Sequence, residues 1–242
     1  MSTGKKINGF IAWEGQSQLD GKPIALIVTG LNDKSNNVKT GAMVQTWIIR
    51  ADIDPWDAVK TGEDSSICGN CKHRGATTNG KERPCYVLVY NAPKSVYKCY
   101  KRGNYGMTHN GLLGGRKLRI GSYGDPAAVP AEIWEALIDL TGNAPGTGYT
   151  HQWKTCAADY AKFCMASADT QEEYAAAKAL GYRVFRVRDK AAPMMKNEIS
   201  CPASKEAGHL INCEKCTACC GTSTNRFGDV TIIAHGAMAK YF

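Results

Sequence analysis

Short apolar stretches rich in β-branched residues recur along the chain, and each of them ends in polar residues. Stretches of this length and composition, bounded by Gly, Pro or polar clusters, favour β-strands. The clearest lies at 24–29 (IALIVT), between Pro23 and Gly30. The pattern predicts eight strands, at 24–29, 43–50, 118–122, 149–153, 163–167, 184–187, 198–201 and 230–234.

Helical patterns separate several of these strands. The segment 130–140 (PAEIWEALIDL) begins with Pro130, which suits a first helical turn. The segment 170–180 begins with Thr170 as N-cap and has Glu173 in place for a capping box. Alternating strands and helices predict a parallel sheet. We therefore expect one α/β domain over residues 1–242, either an irregular (β/α)₈-like barrel or an open parallel sheet with cysteine-rich loops.

Polar side chains cluster where the predicted strands end. Asp125, His151, Asp169 and His235 each follow a different strand. In barrels and open parallel sheets, sites lie at the carboxyl ends of the strands. We therefore expect these residues to gather on one face, with Asp125 and His151 in the pocket. An ordinary Asp-Pro turn and an unremarkable histidine are the alternative interpretations.

Two arginines alternate along the predicted strand at 184–187 and its end. Side chains two apart in a strand point the same way, so Arg186 and Arg188 could together bind an anion. We include both with the pocket residues. A solvent-facing pair is the alternative.

The C-terminal region carries a tight run of thiols. Cys213, Cys216 and Cys219 form a C-x₂-C-x₂-C run, with Cys201 twelve residues upstream. Cysteine runs of this kind are typical of iron–sulfur clusters, and four thiolates also bind zinc. A buried core of free thiols is the third interpretation. The run predicts an iron–sulfur cluster, 4Fe-4S in type, in a metal-binding loop at about 200–222.

A second cysteine set lies in a predicted loop at about 64–90. It consists of Cys68, Cys71 and Cys85. His73, Cys99, Cys156 or Cys164 could supply a fourth ligand. Three cysteines on a four-iron cluster would leave one iron open to a substrate, whereas a zinc knuckle completed by His73 is the alternative.

Composition indicates the partner, the compartment and the redox state expected for these cysteines. The chain has 242 residues, is 43% hydrophobic and carries a net charge of +8, which suits either an ordinary basic surface or an anionic partner such as a nucleotide or nucleic acid. No apolar run approaches a membrane span, and the N-terminus lacks a signal peptide pattern. Eleven tightly spaced cysteines in a reducing compartment favour metal binding over disulfides.

Several segments together resemble a family of cysteine-rich, phage-encoded proteins of uncharacterised function. They are MVQTWIIRAD, SICGNCKHRG, RPCYV, KLRIGSYGDPAAVP, GYTHQW, CMASADTQEE and CPASKEAGHLINCEKCTACCG. The resemblance covers about residues 40–236 and implies the same seven-cysteine pattern. More distantly, the chain is similar to radical S-adenosylmethionine barrels, although it lacks their C-x₃-C-x₂-C motif.

The sequence as a whole predicts an iron–sulfur metalloprotein in the cytoplasm of an infected host cell. With one or two clusters, it would be a redox or radical-type enzyme acting on a nucleotide or other anionic substrate. The competing hypothesis is a nucleic-acid-binding replication or regulatory protein with structural zinc. The two differ in the metal that the cysteines bind.

Overall fold

The computed structural model describes residues 8–32, 37–74, 83–108, 111–144, 146–208, 211–223, 228–235 and 239–241. Nine strands form one hydrogen-bonded sheet. They are β1 (Gly9–Gln16), β2 (Pro23–Thr29), β3 (Val44–Arg50), β4 (Leu118–Tyr123), β5 (Thr147–Thr150), β6 (Met165–Ser167), β7 (Val184–Arg188), β8 (Glu198–Ser200) and β9 (Asp229–Ile233).

The order across the sheet is β1-β2-β3-β4-β5-β6-β7-β9-β8. The first two pairings, β1 with β2 and β2 with β3, are antiparallel, and every later pairing is parallel. Strands β3 to β7 follow each other in chain order, as they do in a barrel wall. Within the described residues, however, β1 and β8 remain as unpaired edges. The α/β class is confirmed, and the barrel alternative is corrected to an open, mostly parallel sheet.

Helices connect or cover the strands. They are α1 (Pro55–Thr61), α2 (Ser65–Cys68), α3 (Ala92–Lys101), α4 (Ala131–Leu140), α5 (Gln171–Ala179) and α6 (Cys213–Cys216). Short 3₁₀ turns occupy Lys72–Arg74, Pro126–Ala128, Ala158–Lys162 and Ala239–Tyr241. None of the described helices is long and apolar enough to cross a membrane.

The ends of the helices follow from local chemistry. Thr170 accepts a hydrogen bond from the Glu173 amide at 3.1 Å, which begins α5 as predicted. The Glu173 carboxylate accepts a hydrogen bond from the amide of Asp169 at 3.1 Å. A capping box would use the amide of the next residue, Thr170, instead. The capping arrangement therefore also holds Asp169 at the end of β6.

Different parts of the chain pack against the two faces of the sheet. On β7, Val184 packs with Ala177 of α5, whereas the neighbouring Phe185 packs with Cys219 on the opposite face. The largest apolar cluster surrounds β2, whose residues from Ile24 to Val28 are fully buried. Cysteine-bearing loops therefore cover part of one face, and α5 covers the other.

Candidate metal centres and the adjoining polar cluster

The C-terminal quartet, defined as Cys201, Cys213, Cys216 and Cys219, comes from two parts of the chain. Cys201 directly follows β8, and its amide bonds to the Thr231 carbonyl of β9 at 2.8 Å. Cys213 and Cys216 begin and end α6, a single helical turn. Thr217 ends that turn in a left-handed conformation, with φ 56°, which redirects the chain toward Cys219.

These four cysteines line a cavity of about 40 Å³, together with Lys39, Tyr149 and Phe185 among others. That space exceeds what one water molecule needs. Zinc held at 2.3 Å by four thiolates would place the sulfurs about 3.8 Å apart. Yet no three sulfurs among the described cysteines lie within 4.8 Å of one another. The quartet is therefore spaced more widely than a single tetrahedral ion requires.

Burial and nearby groups act on the thiols of the quartet in opposite directions. Burial raises the pKa of Cys201, whereas the Ala203 amide, which donates to its sulfur, and Lys39 act in the opposite direction. Burial likewise raises the pKa of Cys219 strongly, although the Tyr149 hydroxyl donates to that sulfur. The net shift disfavours the thiolate in both residues, and these donors would stabilise the thiolates that a bound metal creates.

The N-terminal trio, defined as Cys68, Cys71 and Cys85, also forms a site. Cys68 ends α2, and the Cys71 amide bonds back to the Cys68 carbonyl at 3.2 Å. Cys85 is brought in by a hydrogen bond from its amide to the His73 carbonyl at 3.0 Å. Cys68 interacts electrostatically with both other members of the trio. The three predicted ligands are therefore neighbours.

Backbone amides prepare this site for a thiolate. Burial raises the pKa of Cys71 to about 12, while the amides of His73 and Arg74 donate to its sulfur and oppose that shift. Burial is also the main reason why the pKa of Cys68 lies well above its ordinary value. Amides aimed at a buried sulfur stabilise its charged form, which is the form that binds metal.

Two buried donors beside the trio are unsatisfied. The Nε of Arg83 and the hydroxyl of Tyr123 are buried and have no hydrogen-bond partner in the part of the chain that the structure describes. Both interact electrostatically with Cys68 and Cys85. Leaving such donors bare costs about 1–3 kcal/mol each, so a polar ligand in this place would stabilise the protein. Arg83, two residues before Cys85, was not among the predicted site residues.

The four residues that the sequence suggested as a fourth ligand of the trio contact other groups. Cys156 meets the Tyr182 hydroxyl at 3.4 Å, and Cys99 is hydrogen-bonded with Tyr105. Cys164 is fully buried in the main core. His73, the remaining candidate, directs its Nε2 to Asp169 at 2.9 Å. Within the described residues, these four candidates are therefore engaged away from the trio.

The strand-end cluster, defined as His73, Asp125, His151 and Asp169, adjoins the trio. Asp125 follows β4 and accepts hydrogen bonds from the Thr150 hydroxyl at 2.7 Å and the His151 amide at 2.7 Å. Burial raises the pKa of Asp125 to about 6, although these bonds oppose the shift. Burial, followed by the nearby His73, lowers the pKa of His151 to about 4, so its imidazole is neutral at neutral pH. The two predicted pocket residues, Asp125 and His151, thus lie together.

Asp169 completes this cluster at the end of β6. One of its oxygens, Oδ2, lies 2.9 Å from His73 Nε2 and 3.0 Å from Lys72 Nζ. Burial acts to raise the pKa of Asp169, but the hydrogen bonds and charges of His73 and Lys72 prevail, and the pKa is lowered. The other oxygen, Oδ1, is buried and has no hydrogen-bond partner within the described ranges.

The arginines of β7 do not join this cluster. Arg186 is buried and forms a two-pronged ion pair with Glu198, each bond 2.6 Å long. Arg188 donates to backbone carbonyls, most closely to that of Ala192 at 2.8 Å. His235 is exposed and bonds to the Ile233 carbonyl at 2.8 Å. We correct the sequence interpretation accordingly, because the guanidinium of Arg186 is paired with Glu198 and the Nη1 of Arg188 donates to loop carbonyls. The Nε of Arg188 is buried without a partner among the described residues.

Comparison of the chain with protein families, curated proteins and solved structures finds no match. Among the described residues, three groups of side chains are candidate sites: the quartet, the trio and the strand-end cluster. Arg119 of β4 adds a charge that the sequence interpretation missed. Its only sequence signal is a cation that alternates with apolar residues in a strand.

Proposed function

We propose that the protein is an iron–sulfur enzyme of redox or radical type that acts on a nucleotide or another anionic substrate. The observation that carries this proposal is the quartet, in which four cysteines line one cavity and no three of their sulfurs lie within 4.8 Å of one another. In a four-iron cluster each thiolate binds a different iron, so the sulfurs stand farther apart than around zinc.

The quartet and the trio would have different tasks. Four cysteines can ligate every iron of a cluster, which suits electron transfer. The trio supplies three, and its predicted cysteine alternatives are engaged elsewhere. A cluster bound by the trio would supply one-electron chemistry at an iron that no cysteine of this chain ligates. The unsatisfied donors of Arg83 and Tyr123 support a polar occupant beside that position.

Arg119 supports an anionic substrate. Its guanidinium donates to the Gln45 amide oxygen at 3.4 Å and to the Tyr86 hydroxyl at 3.1 Å. It also interacts electrostatically with Cys213 of the quartet, while Tyr86 directly follows Cys85 of the trio. No carboxylate among the described residues forms an ion pair with Arg119. A cation without a counter-charge, between two thiol sets, is suited to binding a phosphate or carboxylate.

The test is anaerobic purification followed by iron, sulfide and zinc analysis and by EPR of the reduced protein. If both sets bind four-iron clusters, we expect a brown protein with about eight iron atoms and as many sulfides per chain. Cys216→Ser and Cys68→Ser should each remove about half of the iron.

Matched controls are available in the same regions. Cys220→Ser changes the neighbour of a quartet ligand, and Cys99→Ser changes a cysteine bonded to Tyr105. Both variants should keep the full iron content. A colourless protein that retains tightly bound zinc would contradict the proposal. It would support the second candidate, a nucleic-acid-binding protein with structural zinc, which the net charge of +8 favours.

A further inference from the structure

We propose that His73, His151 and Asp169 bind a single divalent metal ion, such as Fe²⁺ or Mn²⁺, in addition to the cysteine sites. One ligand atom from each of the three lies within 4.8 Å of the other two. They come from three separate places: the turn after Cys71, the end of β5 and the end of β6. This proposal does not depend on which metal the cysteines bind.

The distances suit a metal ion. His73 Nε2 and Asp169 Oδ2 lie 2.9 Å apart. Two adjacent ligands at right angles, each about 2.1 Å from an ion, would be about 3 Å apart. For the ion to bind at Nε2, the neutral His73 imidazole must carry its one ring proton on Nδ1, and no proton then lies between Nε2 and Oδ2.

The second observation is the bare carboxylate oxygen. The Asp169 side chain is only 4% exposed, and its Oδ1 has no hydrogen-bond partner among the described residues. Such an oxygen is costly to bury, and an ion held by both oxygens of the carboxylate would satisfy it. Lys72 and His73 both bond to Oδ2, and the Lys72 side chain is half exposed. Its ammonium group can therefore move away into solvent when an ion replaces it at Oδ2.

Neighbouring groups orient the ligands. The Asp125 carboxylate holds the backbone of His151 at 2.7 Å, and the Glu173 carboxylate holds the backbone of Asp169 at 3.1 Å. These bonds fix the backbone from which the His151 and Asp169 side chains project. The positions of two of the three ligands are therefore fixed by the fold before an ion binds.

The ligand set also indicates the ion and its use. Two imidazoles and one carboxylate on one side of an ion leave its other positions open, as in non-haem Fe²⁺ proteins. Those positions accept water or the oxygen atoms of a chelating substrate. Because the trio lies next to this cluster in the chain fold, a substrate bound at the ion would lie beside the trio as well.

The test uses Mn²⁺, which binds oxygen and nitrogen ligands and avoids soft thiolates. Purified protein is titrated with Mn²⁺, and the free ion is measured by its EPR signal. We expect one tight site per chain. His151→Ala and Asp169→Asn should weaken that site by more than about tenfold. His235→Ala, which alters an exposed histidine outside the three ligands, should leave its affinity unchanged.

Pulsed EPR of the bound Mn²⁺ provides a readout on the unaltered protein. Couplings to two imidazole nitrogens would support the proposal. The absence of tight binding, equal binding by all variants, or a bound ion without imidazole couplings would overturn it. A colourless, zinc-containing protein that still binds Mn²⁺ through two imidazoles would support this site while rejecting the iron–sulfur proposal.

Discussion

Removing Arg186 should destabilise the fold, because its charge forms a buried ion pair with Glu198, the first residue of β8. The Glu198 side chain is 0% exposed and the Arg186 side chain is 4% exposed. Arg186→Ala would leave the Glu198 carboxylate buried, with a hydrogen bond from the Met195 amide at 2.8 Å as its remaining partner. It would also leave the Pro193 carbonyl without its 2.8 Å donor.

The magnitude follows from the uncompensated charge. Removing one partner of a buried ion pair costs about 3–5 kcal/mol. In urea, a slope of about 2–3 kcal/mol per molar converts this loss into a midpoint lowered by about 1–2.5 M. Arg188→Ala is the matched control, because that arginine donates to carbonyls of its own loop and forms no ion pair within the described residues. Its midpoint should fall much less.

The assay is urea unfolding followed by tryptophan fluorescence and circular dichroism, with equal metal content in every sample. The double variant Arg186→Met, Glu198→Met removes both charges and should recover much of the loss, since a buried pair is often replaceable by apolar residues. A midpoint for Arg186→Ala within a few tenths molar of the unaltered protein would refute this reasoning. So would a double variant less stable than the sum of its single changes.

Three further predictions test other parts of the fold. Cys216→Ser should lose metal and make the segment 205–223 sensitive to proteases, because metal binding there contributes folding free energy; unchanged digestion would contradict this. Gly124→Ala should cost about 1–3 kcal/mol in urea unfolding, since φ is +84° and the new Cβ would lie 2.7 Å from Ile48 Cβ. Gly103→Ala, at φ +65° with open space around it, isolates the conformational part. Thr170→Ala should cost about 1 kcal/mol by removing the α5 cap, and Thr170→Ser should restore it.

Local patterns were enough to predict most of the regular structure. The strand expected at 24–29 is β2, Pro23–Thr29, and the capped helix expected at 170–180 is α5, Gln171–Ala179. Both depend on nearest neighbours along the chain: β-branched residues between breakers in one case, and a hydroxyl facing an amide three residues ahead in the other. The strand expected at 149–153 lies earlier, at Thr147–Thr150. Glycine is rare in strands, so Gly148 made the local pattern point to a later start, yet it lies inside this strand.

Some elements escaped notice for identifiable reasons. The register of β1 shifts between Ile11 and Trp13, which interrupts the alternation that reveals a strand. Helix α1 carried a usable signal, since the Asp54 side chain accepts from the Trp56 amide and Gly62 ends the helix at φ 81°. A cap, a proline and a terminal glycine around seven residues could have predicted it.

The sequence alone indicated candidate residues for chemistry and predicted that each set would come together at strand ends or in loops. Spacing selected the quartet and the trio, and strand-end position selected Asp125 and His151. Only the tertiary structure decided the partners. It brought His73 of the trio loop to Asp169 across 96 residues and committed Arg186 to Glu198. It also left the sheet open. Such pairings depend on strand order and on burial at long range, where a periodic pattern of two or 3.6 residues carries no information.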